Sequence, residues 1–204
     1  VRKEIPPGGD SGTGPVIWYG TKACDGRKLL LYDRSTSRTL ILDAPDADPR
    51  VVDCPYRGQL AAGRAHPDGL VYSGLDEPSR IVCFDPVVER FVDEITGPDA
   101  DQPISPQHLH DGVLYCTSSS QGRIHPFDLA SRRWLEPILT PDHGDVYGFL
   151  GGAFSFEGKL FACLSTYAHP SRLDLRTGKV IIPEGPLTVD GRPPRFLDRF
   201  LVFD

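Results

Sequence analysis

Residues 111–134 read DGVLYCTSSSQGRIHPFDLASRRW. Asp111-Gly112 is a tight-turn pair. VLYCT is an apolar run rich in strand formers, SSSQG is a small polar loop, and RIHPF is a second run that ends at Asp128. A short turn then leads to Trp134. The stretch predicts two short strands and the start of a third.

The same order recurs along the chain, and internal repetition of this kind decides the architecture before any other feature. Asp68-Gly69 precedes LVYSG, and Asp85 follows RIVCF. Glu157-Gly158 precedes KLFAC, and Asp174 ends that copy. In each of these three copies the closing Asp stands 17 residues after the opening acid. A further copy opens with VIWYG and closes at Asp33 after KLLLY, with a longer loop between. Five residues beyond each closing Asp stands a base: Arg38, Arg90, Arg133 and Lys179. An apolar residue or Thr follows it: Thr39, Phe91, Trp134 and Val180. A turn Asp accepts hydrogen bonds from amides just ahead of it. A base at the start of an outer strand discourages stray pairing. These Asp/base pairs therefore predict a repeated hairpin turn, set against the alternative of a site.

The expected fold is all-β, with about four four-stranded antiparallel units and a partial fifth, over residues 1–43, 56–95, 103–138, 146–182 and 195–204. Residues 57–63, 104–110 and 147–156 are built from smaller side chains. They are expected to be the innermost strand of each unit, where bulk would collide near a common axis. A short strand is expected at residues 1–5, and residues 44–55, punctuated by Pro45, Pro49 and Pro55, are expected to be loop. No segment carries a capped 3.6-residue period, so helix content should be very low.

Four-stranded units opened by DG-type turns resemble the β-propeller repeat superfamily, with its kelch, YVTN and quinoprotein-like blades, over roughly residues 15–204. The resemblance implies blades around a central channel and is nearly silent on activity. Four blades with a partial fifth imply that the remainder of a ring or a second copy completes the assembly, because an open arc would expose apolar flanks.

Composition narrows the partners. The 204 residues carry a formal charge of −6 and a pI near 5.5, and the 22 bases are spread through the repeats. Nucleic acid is therefore not expected, nor is a membrane span. The chain holds no Met, even at position 1, as expected of a processed product or a piece of something longer. Five cysteines with no C-x-x-C point away from a disulfide framework or zinc site, toward a reducing, cytoplasmic setting. Cys116 and Cys163 take the same place in the repeat as Ser73, so small residues packed inside a sheet are expected there. A Cys24–Cys54 pairing stays open.

In a propeller the loops at one face meet the channel; here these are residues 43–56, 97–103, 140–146 and 183–194, with 21–26, 75–79, 118–121 and 166–169. The densest polar loop runs Asp142-His143-Gly144-Asp145-Val146-Tyr147, and Tyr167 and His169 belong to the same unit. His143, His169, Tyr147 and Tyr167 are the candidate acid–base residues. A His plus Tyr pair suits proton abstraction from an acidic sugar carbon, with Arg57 neutralising the carboxylate. Asp142, Asp145 and Gln107 join Arg57 as candidate ligand contacts. His108 and His110 fall on one side of a strand, a spacing that suits two imidazole ligands of a divalent metal. Against each chemical reading stands a plain one, a solvated turn or a satisfied histidine. Two functions follow. The first is a non-catalytic module that binds a small molecule, carbohydrate or protein at the channel face. The second is a polysaccharide lyase or lactonase-like hydrolase using His/Tyr acid–base chemistry.

Overall fold

The computed structural model describes residues 17–23, 26–33, 36–44, 46–60, 63–76, 78–99, 102–118, 123–139, 150–156, 159–164, 169–174 and 179–181. Every regular element among them is a strand. In chain order these are β1 (Ile17–Ala23), β2 (Lys28–Asp33), β3 (Arg38–Leu42), β4 (Arg50–Asp53), β5 (Arg64–Ala65), β6 (Val71–Leu75), β7 (Arg80–Asp85) and β8 (Arg90–Thr96). Then follow β9 (Ile104–His110), β10 (Val113–Ser118), β11 (Arg123–Asp128), β12 (Arg133–Trp134), β13 (Ile138–Leu139), β14 (Leu150–Phe156), β15 (Lys159–Leu164), β16 (His169–Asp174) and β17 (Lys179–Ile181).

They form four antiparallel sheets, ordered β1-β2-β3-β4, β5-β6-β7-β8, β9-β10-β11-β12 and β14-β15-β16-β17; β13 also pairs with β11. In the third sheet β12 and β13 are two halves of one outer strand. Pro137, which has no N–H to give to the ladder, lies in the gap.

The repeated Asp/base pairs are turns. Asp33 stands opposite Arg38, Asp85 opposite Arg90, Asp128 opposite Arg133 and Asp174 opposite Lys179, each as the closing pair of a hairpin. The Asp85 carboxylate accepts the amides of Val87 at 2.8 Å and Val88 at 3.3 Å, and Asp128 accepts that of Ser131 at 2.8 Å. The Ser131 amide is the main reason the Asp128 carboxyl lies below the usual range. The residue just before the base has a left-handed backbone in three copies: Ser37 at φ 54°, Glu89 at 54° and Arg132 at 56°. Asp111 and Gly112, at φ 47° and 75°, make the two-residue turn whose twist matches paired strands.

Two expectations are corrected. Residues 44–55 are not all loop, because Arg50–Asp53 forms β4. It pairs with β3 from Arg38↔Asp53 to Ile41↔Arg50. The described residues on either side of it, Pro49 and Pro55 among them, stay outside the ladder, and the first sheet runs past residue 43. Residues 57–63 are only in part the innermost strand of the second sheet, since residues 57–59 lie outside it and Leu60 bridges Leu75. That strand is β5, extended by an isolated bridge between Leu60 and Leu75. Aligned on its turn aspartate, β1 matches β6 as a second strand and β4 is an addition outside the repeat. The expected strand at residues 1–5 and the partial unit at 195–204 lie outside the described residues.

The chain divides into two compact units, residues 1–106 and 107–204. In the first, one side of the first sheet packs on the second. Leu30, Tyr32 and Ile41 meet Leu60, Val71, Leu75, Val82 and Phe84, all at or below 1% exposure. Val52, Cys54, Tyr56 and Phe91 close the margin. Gly63 sits where a Cβ would fall inside 3 Å of the Tyr32 and Ser73 hydroxyls. Burial pushes the Tyr32 phenol up, and the nearby Ser73 hydroxyl offsets this in part, although neither oxygen has a full hydrogen-bond partner. In the second unit Leu114, Cys116, Ile124 and Phe127 are buried, and Trp134 packs edge-on against Phe127 at 4.9 Å.

An ion cluster ties the first two sheets together at the surface. Arg50 grips Asp43 at 2.6 and 3.1 Å and Glu89 at 2.9 and 2.6 Å. Lys28 reaches Glu89 and the Pro86 carbonyl, both at 2.7 Å. Arg50 and then Lys28 hold the Glu89 carboxyl down to about 2. A depressed carboxyl stabilises the fold above its unfolded pKa and loses that contribution as pH falls toward the folded value. Glu89→Gln should therefore cost about 1–2 kcal/mol at neutral pH, after allowance for solvent screening. The difference from wild type should shrink between about pH 4.5 and 2. Denaturant titrations at several pH values check this; a gap that is constant down to the acid limit would refute it.

Candidate functional site

The polar side chains that the structure brings together on an inner strand belong to β9. Ile104, Pro106, Gln107 and Leu109 are buried, and Ser105, His108 and His110 are half-buried. Gln107 Nε2 donates to Thr117 Oγ1 at 3.2 Å, which fixes the amide between the two innermost strands of the third sheet. The His108 and His110 rings stack, with centroids 6.4 Å apart and planes 22° from parallel. This is the shared side that their spacing predicts. His110 Nε2 lies 3.3 Å from Asp111 Oδ2, an ion pair when the imidazole is protonated.

The two imidazoles supply two donors, whereas a catalytic zinc takes three protein ligands and a structural one four. Among the described residues no group of three or more His, Cys, Asp or Glu side chains could hold a metal ion.

Arg57 is exposed and lies between β4 and β5, so the structure places it outside the strand in which the sequence had put it. Its neighbour Tyr56 carries the Arg80 guanidinium 5.8 Å from the ring centroid, and Arg80 pairs with Glu94 at 2.6 Å. The Tyr56–Arg80 contact had no signal in the sequence, because the two lie on different elements. His169 opens β16 opposite Leu164. Asp142, His143, Asp145, Tyr147 and Tyr167 lie outside the described residues.

The cysteines behave as packing residues where they are described. Cys54, Cys83 and Cys116 are free thiols. Burial pushes Cys83 up to about 12, Cys116 well above the usual thiol range, and half-buried Cys54 upward as well. None is a ready thiolate nucleophile. Ser73, at the repeat position of Cys116, is also buried.

No protein-family model matches the chain, and no match was found among the curated proteins. Solved structures do match. Hydrazine synthase of Kuenenia stuttgartiensis is 22% identical with a TM-score of 0.65, over 85% of this chain and 51% of that one. Virginiamycin B lyase of Staphylococcus aureus is 13% identical with a TM-score of 0.68, over 91% and 58%. The WD40 repeats of RRP9 are 13% identical with a TM-score of 0.63, over 84% and 52%. The chain thus spans between half and three-fifths of the length of these proteins. They include enzymes and WD40 repeats alike, and what they share with this chain is the arrangement of antiparallel four-stranded sheets. By sheet order, turn repetition and these matches, the chain has the β-propeller fold.

Proposed function

We propose that the chain is a propeller binding module that recognises a small molecule, carbohydrate or protein at its channel face and releases it unchanged. The observation that supports this is β9. Innermost strands of a propeller face its central channel. One side of β9 carries the half-buried and stacked His108 and His110, while Gln107, on the opposite side, is buried and held to Thr117. Two imidazoles side by side suit hydrogen bonding to hydroxyl and carbonyl groups.

The test is a thermal-shift screen against acidic and neutral oligosaccharides and peptides. A ligand should raise Tm in wild type, and the shift should fall by more than half in the H108A/H110A variant. Mass spectrometry should then recover that ligand intact. Conversion of the ligand to product would overturn the binding reading.

That outcome would favour a second reading, a propeller lyase or hydrolase that uses His143, His169, Tyr147 and Tyr167. One observation favours it: a solved structure of this fold is a virginiamycin B lyase made inactive by a histidine-to-alanine change. Its metal-assisted form requires stoichiometric Zn, Mn or Ca to remain on the protein after dialysis, as read by mass spectrometry. A metal-free preparation that still turns over substrate would refute that form.

A further inference from the structure

β9 ends in a histidine, and the turn after it begins with an acid. His110 Nε2 lies 3.3 Å from Asp111 Oδ2. A carboxylate oxygen accepts hydrogen bonds and cannot donate them, and a ring nitrogen without its hydrogen is likewise an acceptor only. Two lone pairs facing each other at that distance would repel. In the neutral imidazole the hydrogen therefore belongs on Nε2, and Nδ1 is left as an acceptor. Asp111 has a left-handed backbone, φ 47°, which Asp and Asn tolerate better than most residues. Its charge is felt on the next strand as well: burial and then Asp111 push the Tyr115 phenol up.

We infer that the His108–His110 pair takes an uncharged ligand rich in hydroxyl groups, a neutral sugar, and discriminates against carboxylates. This rests on the binding reading above and narrows it. An ionised carboxylate has no hydrogen to give Nδ1. It would also meet the Asp111 charge, 90% exposed beside the ring, and the formal charge of −6 on the chain. A peptide N–H donates but cannot accept. A hydroxyl does both, so it suits Nδ1 of His110 and either tautomer of His108, whose ring stacks on that of His110. The His110 side chain is 19% exposed and so within reach of a ligand. Asp111 is a positioning residue, since it acts through His110.

One test needs no ligand. Long-range proton–nitrogen correlation spectra of the imidazoles, recorded on the full 204-residue chain at about pH 8.5, lie on the neutral side of the ordinary imidazole range. Wild type should show His110 as the Nε2–H tautomer. Asp111→Asn should keep the turn, because Asn also takes a left-handed backbone, and unchanged circular dichroism would verify this. Its amide can donate as well as accept, so His110 should become a mixture of tautomers. An Nδ1–H form in wild type, or a spectrum that Asp111→Asn leaves unaltered, would overturn the inference.

The other test titrates wild type and Asp111→Asn with oligosaccharides of glucose, galactose and mannose and with the matching uronates, and follows the same imidazole signals. Wild type should bind a neutral oligomer on the order of 10-fold more tightly than its uronate, and Asp111→Asn should narrow that gap. A uronate that binds as well as its neutral partner, or a peptide that binds where no sugar does, would overturn the hydroxyl preference and leave the wider binding reading standing. Silence toward sugars and peptides alike would overturn both.

Discussion

Gly74→Ala is expected to lower stability by about 3 kcal/mol or more, which for a chain of this size is a fall in Tm of roughly 6–12 °C. The cause is a close approach of two backbones. A Cβ on Gly74 would fall inside 3 Å of the Ile104 carbonyl oxygen, with the Ile104 carbonyl carbon at 3.3 Å and the Ser105 Cα at 3.6 Å. Ile104 begins β9 and is 3% exposed, so the obstacle cannot swing aside as a long side chain would. Alanine also removes about 0.5–1 kcal/mol of unfolded-chain entropy, a gain too small to offset a backbone collision. Thermal unfolding followed by circular dichroism reads the result. A loss under 1 kcal/mol would mean that the start of β9 yields easily, and would refute the close packing described above.

Gly63→Ala should cost about 2–3 kcal/mol, and here the obstacle is removable. The added methyl would meet the Tyr32 hydroxyl, the Ser73 hydroxyl and the Tyr32 ring carbon that bears the oxygen. Tyr32→Phe alone should cost little, because its buried hydroxyl has no full hydrogen-bond partner to lose. In the G63A background the same change should restore about 1 kcal/mol, so the two substitutions should be non-additive in a double-mutant cycle. Strict additivity would show that the methyl is accommodated by movement elsewhere. The contrast between the two glycines is itself informative. Loss at Gly74 should resist every second-site change of a side chain, whereas loss at Gly63 should respond to one.

The fold was legible in residues 111–134 because a hairpin turn is local chemistry. An Asp that caps its own turn amides and a base five residues later are close in sequence and in space, and all four copies of that pair stand opposite each other in the register. The second-strand position of Cys116 and Ser73 was legible for the same reason. What misled was Pro45, Pro49 and Pro55. Pro49 and Pro55 flank a strand without preventing it, and the four residues Arg50–Asp53 between them pair normally with β3. Arg57 was misplaced because small neighbours such as Ala61 and Gly63 suggested an inner strand, while strand pairing starts three residues later, at Leu60. The side shared by His108 and His110 was readable from alternation. The grip of Thr117 on Gln107 was not, since it depends on how β9 and β10 align and not on either segment alone. Nor was the Tyr56–Arg80 stack, whose members are 24 positions apart.

Glu89 answers to two masters. Its left-handed backbone is a geometry that glycine adopts without steric cost, yet only a carboxylate can receive Arg50 and Lys28 together. A glycine at this position would relax the hairpin and unfasten the neighbouring sheet in one step. An alanine would keep the backbone tension and still lose the clasp. The residue is thus a compromise between local comfort and long-range cohesion, which leaves little room for any other side chain.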